Sequence, residues 1–421
     1  MLLDKKELLN RYKNLKNLTI LYLNSNNFED IEKKLLNELN KLTEIYLNDN
    51  QLKQIDKDTF LQQKNLIKID LSNNHLIEID PCLFRGLTKL TSISLNNNQL
   101  QHIDKTLFDG LVNLADIDLS FNQLKHIEKT TFTGLTSLAG VNLSFNKFEK
   151  LDADLFQGLL NLSQLNMSNN RLQCIHVYMF ADLKSLTSIY LHNNELERID
   201  KDVFKKLKNL NKLNLSHNQL RHIDRDTFQG LSQLTDLYLS GNKLKELDKR
   251  LFARLSNLSV LSLSSNQLEK LGKEIFHDLF RLSELNLAWN KLKQLNKELF
   301  HGLRNLHRID LHNNHLKHLE LGSFNGLTRL AHLDLSFNKL AHVDKDLFMY
   351  VNKLVSIDLS YNQIEHVDKY MFNGLHDLTQ IWLHNNFLSS DLLELFLNNR
   401  VYFVSFKQNR NDNNIDFVTR F

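Results

Sequence analysis

Proline and glycine are scarce in this chain, with one proline and twelve glycines among 421 residues. Globular domains joined by linkers need many turn residues, and proline and glycine are the commonest of these. The shortage argues against the roughly two to four domains that the length alone would predict. Because 42% of the residues are hydrophobic and 24% are charged, the chain can bury a core and is not disordered.

Long apolar runs are also missing. No stretch reaches the roughly eighteen apolar residues of a transmembrane helix, and residues 1–15 (MLLDKKELLNRYKNL) lack the apolar run of a signal peptide. We therefore expect the chain, as written, to be soluble. The net charge of +3 is small, so the overall composition gives no indication of nucleic-acid or membrane binding.

Motifs of the common enzyme classes are absent as well. The sequence contains no phosphate-binding loop and no G-x-S-x-G, C-x-x-C or H-E-x-x-H motif. We predict no enzymatic activity, no cofactor and no metal site.

What the sequence does contain is an asparagine that recurs every 24 residues without a single insertion. The sixteen members of this series are Asn26, Asn50, Asn74, Asn98, Asn122, Asn146, Asn170, Asn194, Asn218, Asn242, Asn266, Asn290, Asn314, Asn338, Asn362 and Asn386. Such a fixed period is the signature of a repeat architecture, in which one supersecondary unit stacks on the next.

Each asparagine lies in the frame L-x-x-L-x-L-x-x-N-x-L, as in Leu330, Leu333, Leu335, Asn338 and Leu340. Alternating apolar residues predict a short strand with one buried face. The asparagine falls in the turn that leaves this strand. Its amide both donates and accepts, so stacked copies can satisfy buried turn backbone groups.

The second half of each repeat carries a phenylalanine, also spaced by 24 residues, from Phe60 through Phe108 to Phe372. We predict that these rings form a spine in the outer wall. Because large rings hold that wall further apart than the strands, the stack should bend into an arc with the strands on its concave side.

The complete frame resembles the typical 24-residue class of leucine-rich repeats, found in animal extracellular proteins such as Toll-like receptors and Slit. The resemblance covers roughly residues 8–388. It implies an α/β solenoid, a leucine-rich-repeat horseshoe with a parallel concave β-sheet of about 16 repeats. We predict an N-terminal partial repeat or cap at 1–17, the solenoid at 18–388, and a C-terminal cap without a cysteine motif at 389–421, where 390–399 favour a helix and 401–406 a last strand.

Secreted members of this family usually carry cysteine-rich caps, which this sequence lacks. The resemblance implies an extracellular or cell-surface location, whereas the missing caps and signal peptide leave open whether the chain is a fragment of a receptor. Cys82 and Cys174 lie in different phases of the repeat, about four turns and roughly 20 Å apart. A disulfide needs Cα atoms within about 7 Å, so we expect free thiols that are buried or inert.

Stacking turns repeat positions into surface columns. At the non-consensus positions of L-x-x-L-x-L-x-x-N, acidic residues outnumber basic ones by ten to three. The acidic residues are Glu44, Asp49, Asp70, Asp116, Asp118, Asp236, Glu284, Asp310, Asp334 and Asp358, and the basic ones are Lys68, Lys212 and Arg308. An acidic concave face predicts a basic protein or peptide ligand and disfavours nucleic acid. The alternative is that L-D-L-S is simply a common strand sequence of the family.

Aromatic residues add candidate anchors on the predicted concave face, because large exposed rings commonly dominate binding. We expect both tryptophans to be exposed. The predicted partner-binding residues are Tyr46, Asp118, Phe121, Phe145, Trp289, Arg308, Asp310, His312, Asp334, Phe337, Asp358, Tyr361 and Trp382. The alternative for the rings that precede an asparagine is a structural ladder. A second series, His318, His342 and His366, is either a solvated surface or a pH-dependent element.

Two functions fit the sequence. The first is a non-catalytic binding module that engages a protein or peptide on its concave face. The second is the ectodomain of a receptor, similar to Toll-like receptors, that recognises a ligand and takes part in signalling.

Overall fold

The computed structural model describes residues 15–31, 36–368 and 370–388, and the backbone of 403–405. It divides into two compact units. Unit 1 comprises Met1–Leu196 with Lys206–Leu210, and unit 2 comprises Glu197–Lys205 with Asn211–Phe421. The predicted boundaries at 17/18 and 388/389 stay predictions.

Unit 1 begins, in its described part, with a 3-10 turn at Leu15–Asn17, followed by eight three-residue strands. These are β1 Ile20–Tyr22, β2 Glu44–Tyr46, β3 Lys68–Asp70, β4 Ser92–Ser94, β5 Asp116–Asp118, β6 Gly140–Asn142, β7 Gln164–Asn166 and β8 Ser188–Tyr190. Within the unit, each strand from β1 to β7 pairs in parallel with the next in the chain, in a register shifted by one repeat, as in Ile45 opposite Ile69. The predicted parallel sheet, one strand per repeat, is confirmed in this unit.

Unit 2 continues the same construction. Its strands are β9 Lys212–Asn214, β10 Asp236–Tyr238, β11 Val260–Ser262, β12 Glu284–Asn286, β13 Arg308–Asp310, β14 His332–Asp334, β15 Ser356–Asp358, β16 Gln380–Trp382 and β17 Phe403–Ser405. All neighbouring strands pair in parallel, and β17 adds to β16. The predicted last strand at 401–406 is thus confirmed at its centre, while the predicted helix at 390–399 lies outside the described residues.

Stacked asparagine amides hold the turns together as predicted. The Nδ2 of Asn314 donates to the carbonyls of Leu287 and Leu311 at 3.0 and 3.1 Å. Its Oδ1 accepts from the backbone N–H of Leu292 at 3.0 Å. Asn314 is only 3% exposed, so water cannot replace these bonds and the amide satisfies groups that would otherwise be buried without partners.

The phenylalanine spine is also as predicted. The rings of Phe108, Phe132 and Phe156 stack with successive centroid distances of 6.2 Å in unit 1, and Phe324 and Phe348 do so in unit 2 at 6.2 Å. Neighbouring strands lie about 4.8 Å apart. Within each unit the ring side of the stack is therefore longer than the strand side, which is the predicted cause of curvature.

The cysteines are free, as predicted, and of the two expected alternatives, buried or inert, burial is excluded. Cys82 and Cys174 are both exposed. Cys82 precedes the buried Leu83, and Cys174 precedes the buried Ile175. The core positions of the repeat belong to these aliphatic neighbours, which leaves each thiol on the outer side of the chain.

Replacing one ladder asparagine should destabilise the protein. In Asn314→Ala, the Leu292 N–H and the carbonyls of Leu287 and Leu311 lose their amide partners, at a cost of about 3 kcal/mol. The measurement is urea denaturation followed by circular dichroism. The matched control is Gln363→Ala, at an exposed position just after a ladder asparagine, which should change stability by less than about 0.5 kcal/mol. Equal stability of the two variants would contradict the role of the ladder.

Candidate functional site

The candidate site is the strand face, defined as the first and last residue of each strand together with the second and third residues after it. In β2, for example, the central Ile45 is buried while Glu44 and Tyr46 on either side are partly exposed. The same pattern holds in β14, where His332 and Asp334 flank the buried Leu333. Alternation along each strand therefore presents columns of polar and aromatic side chains to solvent.

Aspartate at the last strand position closes the turn that follows. Asp334 Oδ1 accepts from the backbone N–H of Ser336 at 2.9 Å and from its hydroxyl at 2.6 Å. Asp358 and Ser360 form the same pair of bonds. Asn142 does so with an uncharged side chain, accepting from the Ser144 hydroxyl at 2.8 Å. The turn explains why aspartate or asparagine stands here, but it does not require the negative charge.

Three of these charges lie side by side in unit 2. Asp310 is directly opposite Asp334, and Asp334 is directly opposite Asp358, in the parallel register. Burial raises the pKa of the Asp334 carboxyl, its bonds to Ser336 oppose this, and the neighbouring carboxylates Asp358 and Asp310 raise it further. Burial and the neighbouring carboxylates therefore both disfavour the charged form of Asp334.

His312 can offset part of this charge when it is protonated. Its Nδ1 lies 2.6 Å from Asp310 Oδ1. This bond raises the pKa of His312, burial opposes the rise, and the charges of Asp310, Asp334 and Asp358 add to it. Candidate ligand atoms of Asp310, His312 and Asp334 lie within 4.8 Å of one another. The Asp310–His312 hydrogen bond and the register that places Asp334 opposite Asp310 account for that proximity, so we assign no metal to the cluster.

The residue before each ladder asparagine has a left-handed backbone conformation, which bulky side chains ordinarily avoid. Its φ is 53° at Phe121, Phe145 and Phe337, 55° at Trp289 and 52° at Tyr361. A non-glycine residue in this conformation costs about 1 kcal/mol. The sequence did contain a signal for it, because the same column holds Asn73, Asn97, Asn169, Asn193 and Gly241, residues that tolerate positive φ. The left-handed conformation was not predicted from it.

The aromatic side chains of this column stack in pairs and remain exposed. Phe121 and Phe145 lie 4.0 Å apart between ring centroids, as do Phe337 and Tyr361. Stacking of this kind contributes about 1 kcal/mol, which offsets the backbone cost. Yet Trp289, which is 57% exposed, has His312 at its edge, with centroids 5.8 Å apart. These residues are therefore both stacked and exposed, and their role as binding anchors stays a prediction.

The predicted partner-binding residues fall in both units. Tyr46, Asp118, Phe121 and Phe145 lie in unit 1, and Trp289, Arg308, Asp310, His312, Asp334, Phe337, Asp358, Tyr361 and Trp382 lie in unit 2. The second group is contiguous, because β12 to β16 are consecutive paired strands.

One expectation about exposure was wrong. Trp382 is half-buried, in register with Asp358 on one side and with Ser405 on the other. The last residue of the other strands from β2 to β15 is partly buried in the same way, as at Asp334. Trp289 is exposed as predicted.

Tyr46 is engaged within its own unit. Its hydroxyl donates to Glu44 Oε2 at 2.7 Å, and the Lys68 ammonium lies 4.9 Å from its ring centroid. The histidines His318, His342 and His366 are exposed, and a pH-dependent role for them stays a prediction.

Comparison with known proteins agrees with this construction. A leucine rich repeat family model matches residues 184–244, 234–292, 281–340 and 329–388. A model of the BspA type leucine rich repeat region matches 10–80 and 53–174. The chain belongs to the leucine-rich-repeat family. Members of this family are generally non-catalytic interaction modules. No curated protein matches the chain significantly.

Solved structures show the same fold. A leucine-rich-repeat protein of Leptospira interrogans is 26% identical, with a TM-score of 0.82 over 95% of this chain and 98% of that chain. A chain of the Drosophila Toll–Spatzle complex is 19% identical, with a TM-score of 0.65 over 97% of this chain and 62% of that one. A chain of the TLR13–ssRNA13 complex is 19% identical, with a TM-score of 0.57 over 94% and 86%. Within the described residues, no helix has the length and apolar content needed to cross a bilayer.

The Asp310–His312 pair predicts a pH dependence. Because the pKa of His312 is raised in the folded protein, its stabilising contribution is complete below the ordinary histidine value of about 6.5. That contribution is lost as the pH rises through the folded value. An NMR titration should give an imidazole pKa above the ordinary value.

The control is Asp310→Asn, which keeps a turn acceptor of the kind that Asn286 provides to Ala288 at 3.0 Å. This variant should return the His312 pKa towards its ordinary value. An identical titration curve in the two proteins would contradict the assignment.

Proposed function

We propose that the strand face of unit 2 from β12 to β16 binds a basic segment of a partner protein. The observation that carries this proposal is the column Asp310, Asp334 and Asp358, three paired carboxylates in consecutive strands. Membership of the leucine-rich-repeat family supports a binding role in general, since such repeats are interaction modules. The choice of this face and the positive charge of its partner are our inference.

Charge supports a basic partner. Like charges directly opposite each other in a sheet are destabilising. Burial is the main cause of the raised pKa of Asp334, and the carboxylates of Asp358 and Asp310 add to it. A lysine or arginine side chain of a partner, placed against the column, would reduce the repulsion among these carboxylates. Its attraction to the column would be stronger than its attraction to an isolated carboxylate. Because asparagine serves the same turn elsewhere, as at Asn142, the charges are free to serve binding.

The exposed rings support a protein partner. Trp289, Phe337 and Tyr361 are 57%, 46% and 40% exposed, and each occupies a left-handed position where asparagine is the ordinary residue. Backbone strain of this kind often accompanies functional sites. Large rings flanking a charged column match the usual anchors of a protein interface, with the polar groups setting specificity.

The alternative function is ligand recognition by a receptor ectodomain. The fold similarity to a chain of the Toll–Spatzle complex supports it. The ssRNA13 in the TLR13 complex is a ligand of TLR13, and we do not extend it to this chain. For this chain, the acidic column in unit 2 disfavours phosphate, so our prediction remains a protein or peptide ligand and no nucleic acid.

A peptide selection tests the proposal. Phage-displayed random peptides selected on the whole chain should become enriched in lysine and arginine. The selected peptide should then bind at least about tenfold more weakly to Asp334→Asn/Asp358→Asn, because the charges are lost while the turn bonds remain. Binding is measured by isothermal titration calorimetry, and affinity should fall with added salt.

The matched control is Asp70→Asn/Asp118→Asn in unit 1, where the same turns form with Ser72 and Ser120. It should change the affinity by less than about twofold. Enrichment of acidic peptides, affinity that rises with salt, or an equal loss in the two double variants would overturn the proposal.

A further inference from the structure

A second surface of unit 2 is formed by the segment that follows each ladder asparagine. In this segment, the first and third residues after the asparagine flank a buried leucine, such as Leu244 between Lys243 and Lys245. The backbone N–H of Lys243 donates to the Leu220 carbonyl of the preceding repeat at 2.8 Å. Successive segments are therefore in register, and their flanking side chains form two adjacent exposed columns. We call the part of these columns between 219 and 341 the lateral surface. Outside it, the same positions of unit 2 hold Glu197, Gln363, Glu365 and Phe387.

Positive charge dominates the lateral surface. Between 219 and 341 it has twelve positions, of which seven carry lysine or arginine. These seven residues, all exposed, are Arg221, Lys243, Lys245, Lys291, Lys293, Lys317 and Lys339. The single acidic residue among the twelve is Glu269, which lies 2.8 Å from Lys293. At the next position along the segment, Glu246 and Lys270 balance each other.

Unit 1 shows that the repeat itself does not require this charge. Its corresponding positions, from 27 to 195, carry four basic residues against three acidic ones. The basic residues are Lys53, Lys125, Lys147 and Arg171, and the acidic ones are Glu29, Glu149 and Glu195. Since the backbone ladder is the same there, with Lys147 N–H donating to the Leu124 carbonyl at 2.8 Å, the excess of cations in unit 2 is a property of its sequence.

The lateral surface also contains a groove. A cavity of about 420 Å³ is lined by Arg221, Lys243, Lys245 and Gln267. Three cations around one concavity raise the local positive potential more than the same charges on a flat surface. Five of the six turns carry at least one cation, and the turn between them with none holds Gln267 and Glu269. Because turns are spaced by roughly 5 Å, the cations form a row suited to a linear chain of anionic groups.

We propose that the lateral surface binds a linear sulfated polysaccharide. Its twelve positions contain no phenylalanine, tyrosine or tryptophan. Single-stranded nucleic acid ordinarily stacks its bases on such rings, an amphipathic membrane contact inserts large apolar residues, and protein partners bind through aromatic anchors. A polysaccharide with sulfate groups along its length needs only the row of cations. The proposal is independent of the strand face and of its partner.

The test uses a fluorescein-labelled heparin oligosaccharide and the whole chain, followed by fluorescence anisotropy. The labelled heparin should bind, with an affinity that falls steeply with NaCl because bound counterions are released. Arg221→Gln/Lys243→Gln/Lys245→Gln should weaken binding at least about tenfold. Desulfated heparin should not compete.

The matched control removes the same charges from unit 1, in Lys53→Gln/Lys125→Gln/Arg171→Gln, and should change the affinity by less than about twofold. Unchanged circular dichroism spectra and melting temperatures show that both triple variants are folded. An equal loss in the two triple variants, or no heparin binding at about 50 mM NaCl, overturns the proposal. Tighter binding to a thymidine oligonucleotide or to phosphatidylserine vesicles overturns it in favour of those ligands.

Discussion

The stacked asparagine amide is the interaction on which the rest of the structure depends. The Nδ2 of Asn362 donates to the Leu335 carbonyl at 3.0 Å, and its Oδ1 accepts from the Leu340 N–H at 3.0 Å. Both partners belong to the preceding repeat, so each turn completes the hydrogen bonding of the turn before it. An insertion would move the amide away from both partners, and buried backbone groups would lose their bonds. The unbroken 24-residue period follows from this requirement.

The features that could be predicted from the sequence are those that every repeat shares, because the asparagine ladder and the core require them. The parallel strands, the asparagine ladder and the phenylalanine spine all recur at fixed spacing, and periodicity is what a single sequence reveals best. The exposed fraction of individual side chains needed the structure, because spacing alone does not give it. Trp382 is half-buried like the last residue of the other strands from β2 to β15, and the exposure of Cys82 follows from the orientation of one turn.

The candidate site shows the same division. Its composition could be predicted, because columns follow from the period, and Asp310, Asp334 and Asp358 do lie in register. The turn bonds to Ser336 and Ser360 could not, since they require the side-chain direction at the end of each strand. These bonds show that one oxygen of each aspartate closes the turn. Since an asparagine can do the same, the negative charge is not needed for the turn and is available for binding.

A repeat frame allows unfavourable groups to persist where a function needs them. In a solenoid each repeat contacts its neighbours, so stability is close to a sum of local terms. A left-handed ring at Phe337 or a crowded carboxylate at Asp334 therefore weakens one or two interfaces and leaves the other repeats unaffected. The amide of Asn338 holds the same turn through bonds to Leu311 and Leu335 at 3.0 and 3.1 Å, whatever precedes it. The exposed columns are consequently free to differ from repeat to repeat, and acidic and basic surfaces can both arise within unit 2.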